Sequence, residues 1–144
     1  MKFFACLLLC LPFLSGCKER QDTVISSVAN PSHTYRATVL VRQYYVDGKV
    51  DTSPTTYVLL DKDSGKSDYG NGAEFTDSQV VMKPSQCGPL DAQWVDDHLL
   101  KVICQKCGLA LSAVGQHVSD VGSVQIEYDG FPEMSSWETA PGSN

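Results

Sequence analysis

This 144-residue chain has no stretch that reads as a membrane-spanning helix. Its apolar run from Phe3 to Leu14 is about 12 residues and contains Pro12, against the roughly 20 needed to cross the hydrocarbon core. The 11 lysines and arginines form no cluster, which argues against a nucleic-acid surface. G-x-S-x-G, H-E-x-x-H and paired carboxylates on one strand are all missing, so the common signatures of serine hydrolases, zinc proteases and acid–base carboxylate pairs are lacking. The three histidines, His33, His98 and His117, are scattered, and the first two fall in turn sequences. No internal repeat is visible. No helix-length apolar stripe occurs before position 105.

What is present begins at the amino end. Lys2 is the only charge before position 18, Phe3 to Leu14 is almost wholly apolar, and Ser15-Gly16 are small. That order is a charged region, an apolar region and a small-residue cleavage site, as in a secretory signal peptide. The chain then turns abruptly polar at Lys18-Glu19-Arg20-Gln21-Asp22. The tetrapeptide Leu14-Ser15-Gly16-Cys17 resembles the lipobox of bacterial lipoproteins. The resemblance implies a diacylglycerol on the Cys17 thiol, cleavage before Cys17 and acylation of the new amino terminus. Lys18, rather than Asp, follows the cysteine, which in a Gram-negative cell implies the periplasmic face of the outer membrane. In a Gram-positive cell it implies the outer face of the cell membrane.

Removing residues 1 to 16 leaves 128 residues with a formal charge of −7, because Lys2 is the only charged residue lost. That is enough chain for one domain with a core. The acidic balance suits a basic partner more than it constrains the fold.

Cys17 to Pro31 is polar and without period, and reads as a tether, with Val24-Ile25 the part that can join the first strand. Tyr35 to Val46 is a strand, with Ala37, Val39 and Val41 on one face and Arg36, Thr38, Leu40 and Arg42 on the other. Asp47-Gly48 is a hairpin turn signal. Thr55 to Lys62 is a second strand, and 61–72 is composed of turn formers. Ser78 to Met82 is a short strand. Asp91 to Val95 and Leu99 to Cys104 form a hairpin about Asp97. Gly108 to Val118 has room for one short helix, Ser123 to Tyr128 is a last strand, and the chain from Gly130 is a frayed tail. The expectation is a mainly β fold: one small antiparallel sheet or sandwich of about six to eight strands over residues 32–130. Residues 1–16 are the signal peptide, 17–31 the lipidated cysteine and tether, and 131–144 the flexible tail.

Two stretches resemble the strand motifs of propeller-like β repeats. Asn30-Pro31-Ser32-His33-Thr34-Tyr35-Arg36-Ala37 is similar to the turn that leads into a repeat strand, with Ser32-His33-Thr34 in place of Asp-Gly-Lys. Gln93-Trp94-Val95-Asp96-Asp97-His98-Leu99-Leu100 is similar to the repeat hairpin. Together they resemble small bacterial lipoproteins that use one such sheet unit. The resemblance implies a fold and carries no catalytic residues.

After processing, Cys87, Cys104 and Cys107 remain for chemistry. An oxidising compartment favours a disulfide, and three leaves one over. Facing residues of a hairpin centred on Asp97 have numbers summing to about 194, which sets Cys87 against Cys107; Cys87–Cys104 is the second choice. The loop of about 20 residues would contribute about 3 kcal/mol in the chain-entropy model. Cys104-Gln105-Lys106-Cys107 also has the spacing of a redox motif, without a surrounding βαβ pattern. A zinc site built from these cysteines and a histidine lacks the second ligand cluster. Asp61-Lys62-Asp63-Ser64-Gly65 fails the calcium-loop count, with glycine at position 5 and Glu74 at 14. No cofactor or metal is expected.

Tyr44, Tyr45, Tyr57 and Tyr69 gather near the first hairpin and its loop, and exposed tyrosines favour recognition. The leading expectation is a non-enzymatic binding or inhibitory lipoprotein, of the immunity or envelope-accessory kind. It meets the bilayer through acylated Cys17 and an envelope protein through Tyr44, Tyr45 and Asp47, with no nucleic-acid partner. The alternatives are a thiol–disulfide protein using Cys104 and Cys107, and a purely structural envelope component.

Overall fold

Tyr35–Val46, rich in β-branched and aromatic side chains, forms β2, the strand around which the domain is built. The structure, a computed structural model, describes residues 18–84, 88–108 and 116–132. The signal peptide, Cys17, Cys87, most of the 108–118 segment expected to hold a helix and most of the tail lie outside the described residues.

β2 pairs antiparallel with β1 (Lys18–Ala29) on one side and with β4 (Thr55–Lys62) on the other. β3 (Lys49–Val50) folds back on the end of β2, β5 (Val80–Lys83) follows β4, and β8 (Gln116–His117) follows β5. The second sheet runs in the order β6 (Leu90–Trp94), β7 (Leu99–Cys104), β10 (Val124–Asp129) and β9 (Asp120–Val121). Of the pairings among the described residues, β7 with β10 alone is parallel. The connection between those two strands visits the first sheet as β8 before it returns. The fold is mainly β, as the sequence implies. Its strand number exceeds eight because β3, β8 and β9 are two-residue pieces.

The two sheets bury a common core. Ala37, Val39, Val58 and Leu60 of the first sheet meet Leu100, Val102, Val124 and Ile126 of the second. Each buried aliphatic side chain stabilises by about 1.5–3 kcal/mol relative to exposure. The other face of the first sheet is also covered. Tyr69 and Phe75, from the turn-rich segment after β4, lie over Leu40, Leu59 and Val80. That second layer explains why Ala37 to Leu40 are all buried although they alternate between faces.

Residues 18–29 are not a tether. They form the twelve-residue strand β1, in register with β2 from Lys18 opposite Val46 to Ala29 opposite Arg36. The misreading has a physical cause. The covered face of β1 carries Arg20 and Asp22 where an apolar stripe would be expected, and these are satisfied by ion pairs under the Phe75 segment. Ile25 sits at a register shift and is 57% exposed, so the strand's only large aliphatic neighbour to Val24 points to solvent.

The turns follow their residues. Val46 faces Lys49 across Asp47-Gly48, both with positive φ (52° and 73°), as a type I′ hairpin requires. His33 has φ 55°, so histidine occupies the left-handed position that glycine holds in the propeller-like turn. Replacing His33 with Gly is expected to raise stability by about 0.5–1 kcal/mol in urea unfolding, since only an exposed contact to Asp63 is lost.

Candidate functional site

The antiparallel register gives the first sheet two ends. Lys18, Val46, the Asp47-Gly48 turn and Val50 share one end; Ala29, Tyr35 and Lys62 share the other. The expected recognition residues do not form one group. Tyr44 and Tyr45 are half-buried near the first end, with Lys18 Nζ 4.7 Å from the Tyr44 ring centre and Asp47 exposed in the turn. Tyr57 and Tyr69 are not part of that group: they pack against Phe75 with ring centres 5.0 and 5.8 Å away. Tyr69 is buried, so its aromatic face is core and not an exposed recognition surface.

The opposite end holds a polar cleft of about 440 Å³, lined by Arg36, Asp61, Lys66, Ser67, Tyr69, Glu74 and Gln79 among others. Asp61 follows the apolar run Tyr57-Val58-Leu59-Leu60 and accepts hydrogen bonds from the Tyr69 hydroxyl and the Gln79 amide. Gln79 Nε2 also reaches Tyr69 Oη at 3.0 Å. Burial, and then the Asp61 carboxylate, push the Tyr69 hydroxyl well above its ordinary pKa, so it remains a donor at neutral pH. Ser67 Oγ is buried and unpartnered in the cleft wall. The arrangement offers fixed donors, acceptors and charges of both signs, which suits recognition of a polar surface. The sequence signal for it was faint: a carboxylate closing an apolar strand, followed by a tyrosine inside a turn-forming run.

At the same end, Asp63 accepts hydrogen bonds from Arg36 Nε and the Gly65 amide, each at 2.8 Å, and meets His33 Nδ1 at 3.2 Å. The Arg36 bond, then that from Gly65, hold the Asp63 carboxyl below its ordinary pKa of 3.8. The folded state therefore favours the ionised form. Its stabilisation is complete above the unfolded value and is lost as pH falls through the lower folded value. Asp63→Asn is expected to flatten the decline of thermal stability below about pH 4, the ordinary carboxylate range. An unchanged acid limb would contradict the assignment.

A second ionic group lies under Phe75. Arg42 donates from Nε and Nη2 to the two Asp22 oxygens at 2.8 and 2.9 Å, and its guanidinium lies 4.4 Å from the Phe75 ring centre. These bonds raise the Arg42 pKa against the opposing effect of burial. Arg42→Met is expected to destabilise by about 2 kcal/mol in urea unfolding, less than for a buried pair broken outright. The reason is that Arg20 Nε stays 3.2 Å from Asp22.

The cysteines depart from expectation. Leu90 faces Cys104 and Trp94 faces Leu100, so the hairpin register sums to 194 as the sequence implies. Yet the disulfide joins Cys104 to Cys107, with Cα atoms 5.7 Å apart, and not Cys107 or Cys104 to Cys87. The hairpin pairing itself continues past β7, since the Gln105 N–H donates to the Pro89 carbonyl and the Gly88 N–H to the Lys106 carbonyl, so facing numbers still sum to 194 there. The bend at Gln105-Lys106 nonetheless brings Cys107 to Cys104, and Cys87 lies outside the described residues. A four-residue loop contributes about 2 kcal/mol in the chain-entropy model, less than the longer loop would. Both sulfurs are consumed, so neither is a thiolate ligand for zinc in this state. Cys104 is buried, and a β-carbon on Gly130 would collide with its carbonyl.

Comparison with protein-family models, with curated proteins and with solved structures returns no match for this chain.

Proposed function

We propose that the protein is a lipoprotein held by acylated Cys17 on the periplasmic face of the outer membrane, and that its sandwich is a non-enzymatic binding module for an envelope protein. One observation carries the architecture of this reading: Lys18, the residue after the lipobox cysteine, already lies in β1, opposite Val46. An anchor there has no slack. It holds the Asp47-Gly48 end of the sheet at the lipid surface and turns the far end outward. Tyr44, Tyr45 and Asp47 then face the bilayer side, and the cleft about Asp61, Lys66 and Tyr69 becomes the surface a partner meets. Along β1 the two ends are about 35 Å apart at ordinary strand rise.

Site-specific photo-crosslinking in cells tests this. A photoreactive residue at Lys66 is expected to capture a discrete protein partner, and one at Val50 is not. Protein capture from Val50 and none from Lys66 would sink the outward assignment of the cleft.

The disulfide within Cys104-Gln105-Lys106-Cys107 favours a second reading, thiol–disulfide exchange. Cys104 is buried and Cys107 half-buried, so any attack by an incoming thiolate would fall on the Cys107 sulfur. That reading requires the oxidised protein to react with a dithiol peptide and Cys104→Ser to abolish the reaction. No reaction by the unaltered protein removes it.

A further inference from the structure

We infer that the β2–β3 hairpin end is a headgroup-binding surface, which seats the domain upright on a phospholipid layer bearing both phosphate and ammonium groups. The inference rests on the Cys17 anchor proposed above and adds what the anchored end touches.

Chain geometry sets the distance. The Cα atom of Lys18 lies about 3.8 Å from that of Cys17 across one peptide unit. Lys18 is already fixed opposite Val46, at the end of β2 that carries the hairpin turn. Acyl chains on Cys17 therefore bring Lys18, Asp47, Lys49 and Val50 to the depth of the headgroups.

The residue types at this end suit that depth. Val50 is 64% exposed, the largest value among the exposed large apolar residues described, and it faces Tyr45 across the β2–β3 pair. An exposed aliphatic beside a tyrosine, flanked by lysines on long stems, is the amphipathic combination that rests at a membrane interface. The charges are mixed. Lys18 and Lys49 are basic, Glu19, Asp47 and Asp51 are acidic, and Lys18 Nζ is 3.1 Å from Asp51. A purely anionic surface would meet as much repulsion as attraction here. A zwitterionic layer such as phosphatidylethanolamine offers phosphate to the lysines and ammonium to the aspartates. Because the anchor already confines the domain, docking is an intramolecular event, and contacts too weak to recruit a free protein suffice. The same logic separates the two ends: the far end has its polar groups gathered into the cleft and carries Lys66, whose side chain is 77% exposed.

The test uses the intact lipoprotein in phosphatidylethanolamine vesicles, with amine acetylation read by peptide mass spectrometry. Lys49 is expected to label severalfold more slowly than Lys66 on vesicles. Val50→Glu, a change at an exposed site, is expected to restore Lys49 labelling while Cys17 stays acylated. The same spectra report the amino-terminal peptide. Lipid on Cys17 with equal labelling of Lys49 and Lys66 overturns this inference and leaves the anchor standing. Slow Lys49 labelling that Val50→Glu does not relieve overturns it as well, since the protection then comes from the fold. A Cys17 without lipid overturns the anchor and the inference together.

Discussion

Replacing Cys17 with Ala is expected to move the protein from the membrane fraction to the soluble fraction almost completely, with the sandwich still folded. The expectation has two parts. The first is energetic. Each buried methylene of an acyl chain contributes about 0.8 kcal/mol, one chain holds only weakly, and a diacylglycerol supplies two. The mixed-charge hairpin end cannot replace that attachment by itself. The second part is structural. The pairing of β1 with β2 runs from Lys18 opposite Val46 to Ala29 opposite Arg36, and alanine at position 17 alters none of these residues. The variant should therefore keep the unfolding midpoint of the remaining domain. Cell fractionation with thermal unfolding of the released protein checks both. Membrane retention of the variant would contradict the anchor, and an unfolded soluble product would contradict the independence of β1 from it.

Asn30→Ala is expected to destabilise the domain by about 2–3 kcal/mol, a value set by the loss of a buried side chain's hydrogen bonds to a turn whose own groups are partly open to water. Asn30 is 1% exposed. Its Nδ2 donates to Ser32 Oγ at 3.2 Å, to Thr34 Oγ1 at 2.9 Å and to the Asp97 carbonyl at 3.2 Å. Its Oδ1 accepts the backbone N–H groups of Thr34 at 2.8 Å and Tyr35 at 3.0 Å. One side chain thus closes the β1–β2 turn and ties it to the β6–β7 turn, where Asp97 also accepts the Ser32 amide at 2.6 Å. Alanine leaves the Thr34 and Tyr35 amides and the Asp97 carbonyl without this partner, while the exposed Ser32 and Thr34 hydroxyls keep each other at 3.0 Å. Asn30→Asp keeps the acceptor and loses the donor, so it should fall between alanine and the native residue. Urea unfolding of the three proteins measures the series. A loss below about 1 kcal/mol for Asn30→Ala, the size of a single exposed hydrogen bond, would mean that water replaces the network.

The strands that sequence predicted best are those whose apolar pattern alone decides their place. Tyr35–Val46 and Thr55–Lys62 are found with the boundaries expected, because the first has a clear two-residue period and a hairpin turn, and the second follows a proline. The 194 register of the β6–β7 hairpin was also legible, since its turn chemistry is local. β1 was not, because its buried face is polar and its partner Arg42 lies twenty residues away. Nothing in a single strand announces that a carboxylate will be neutralised by another strand. The cleft was obscure for a related reason. Asp61, Tyr69 and Gln79 meet only when the 63–79 segment folds over the outer face, and its sequence shows turn formers rather than the packing of Tyr69 and Phe75. The disulfide was missed because the register arithmetic, which holds as far as Gly88 and Lys106, says which residues face each other across a hairpin and not that a bend of two residues can join Cys104 to Cys107.

The central claim is that the sandwich is joined to lipid at Cys17, the residue before Lys18 of its first strand. Mass spectrometry of the amino-terminal peptide of protein isolated from native membranes tests it most directly. The account predicts a chain beginning at Cys17, with a diacylglycerol thioether and an acylated amino group. A peptide that runs unbroken from Gly16 through Lys18, or a free thiol on Cys17, would contradict it.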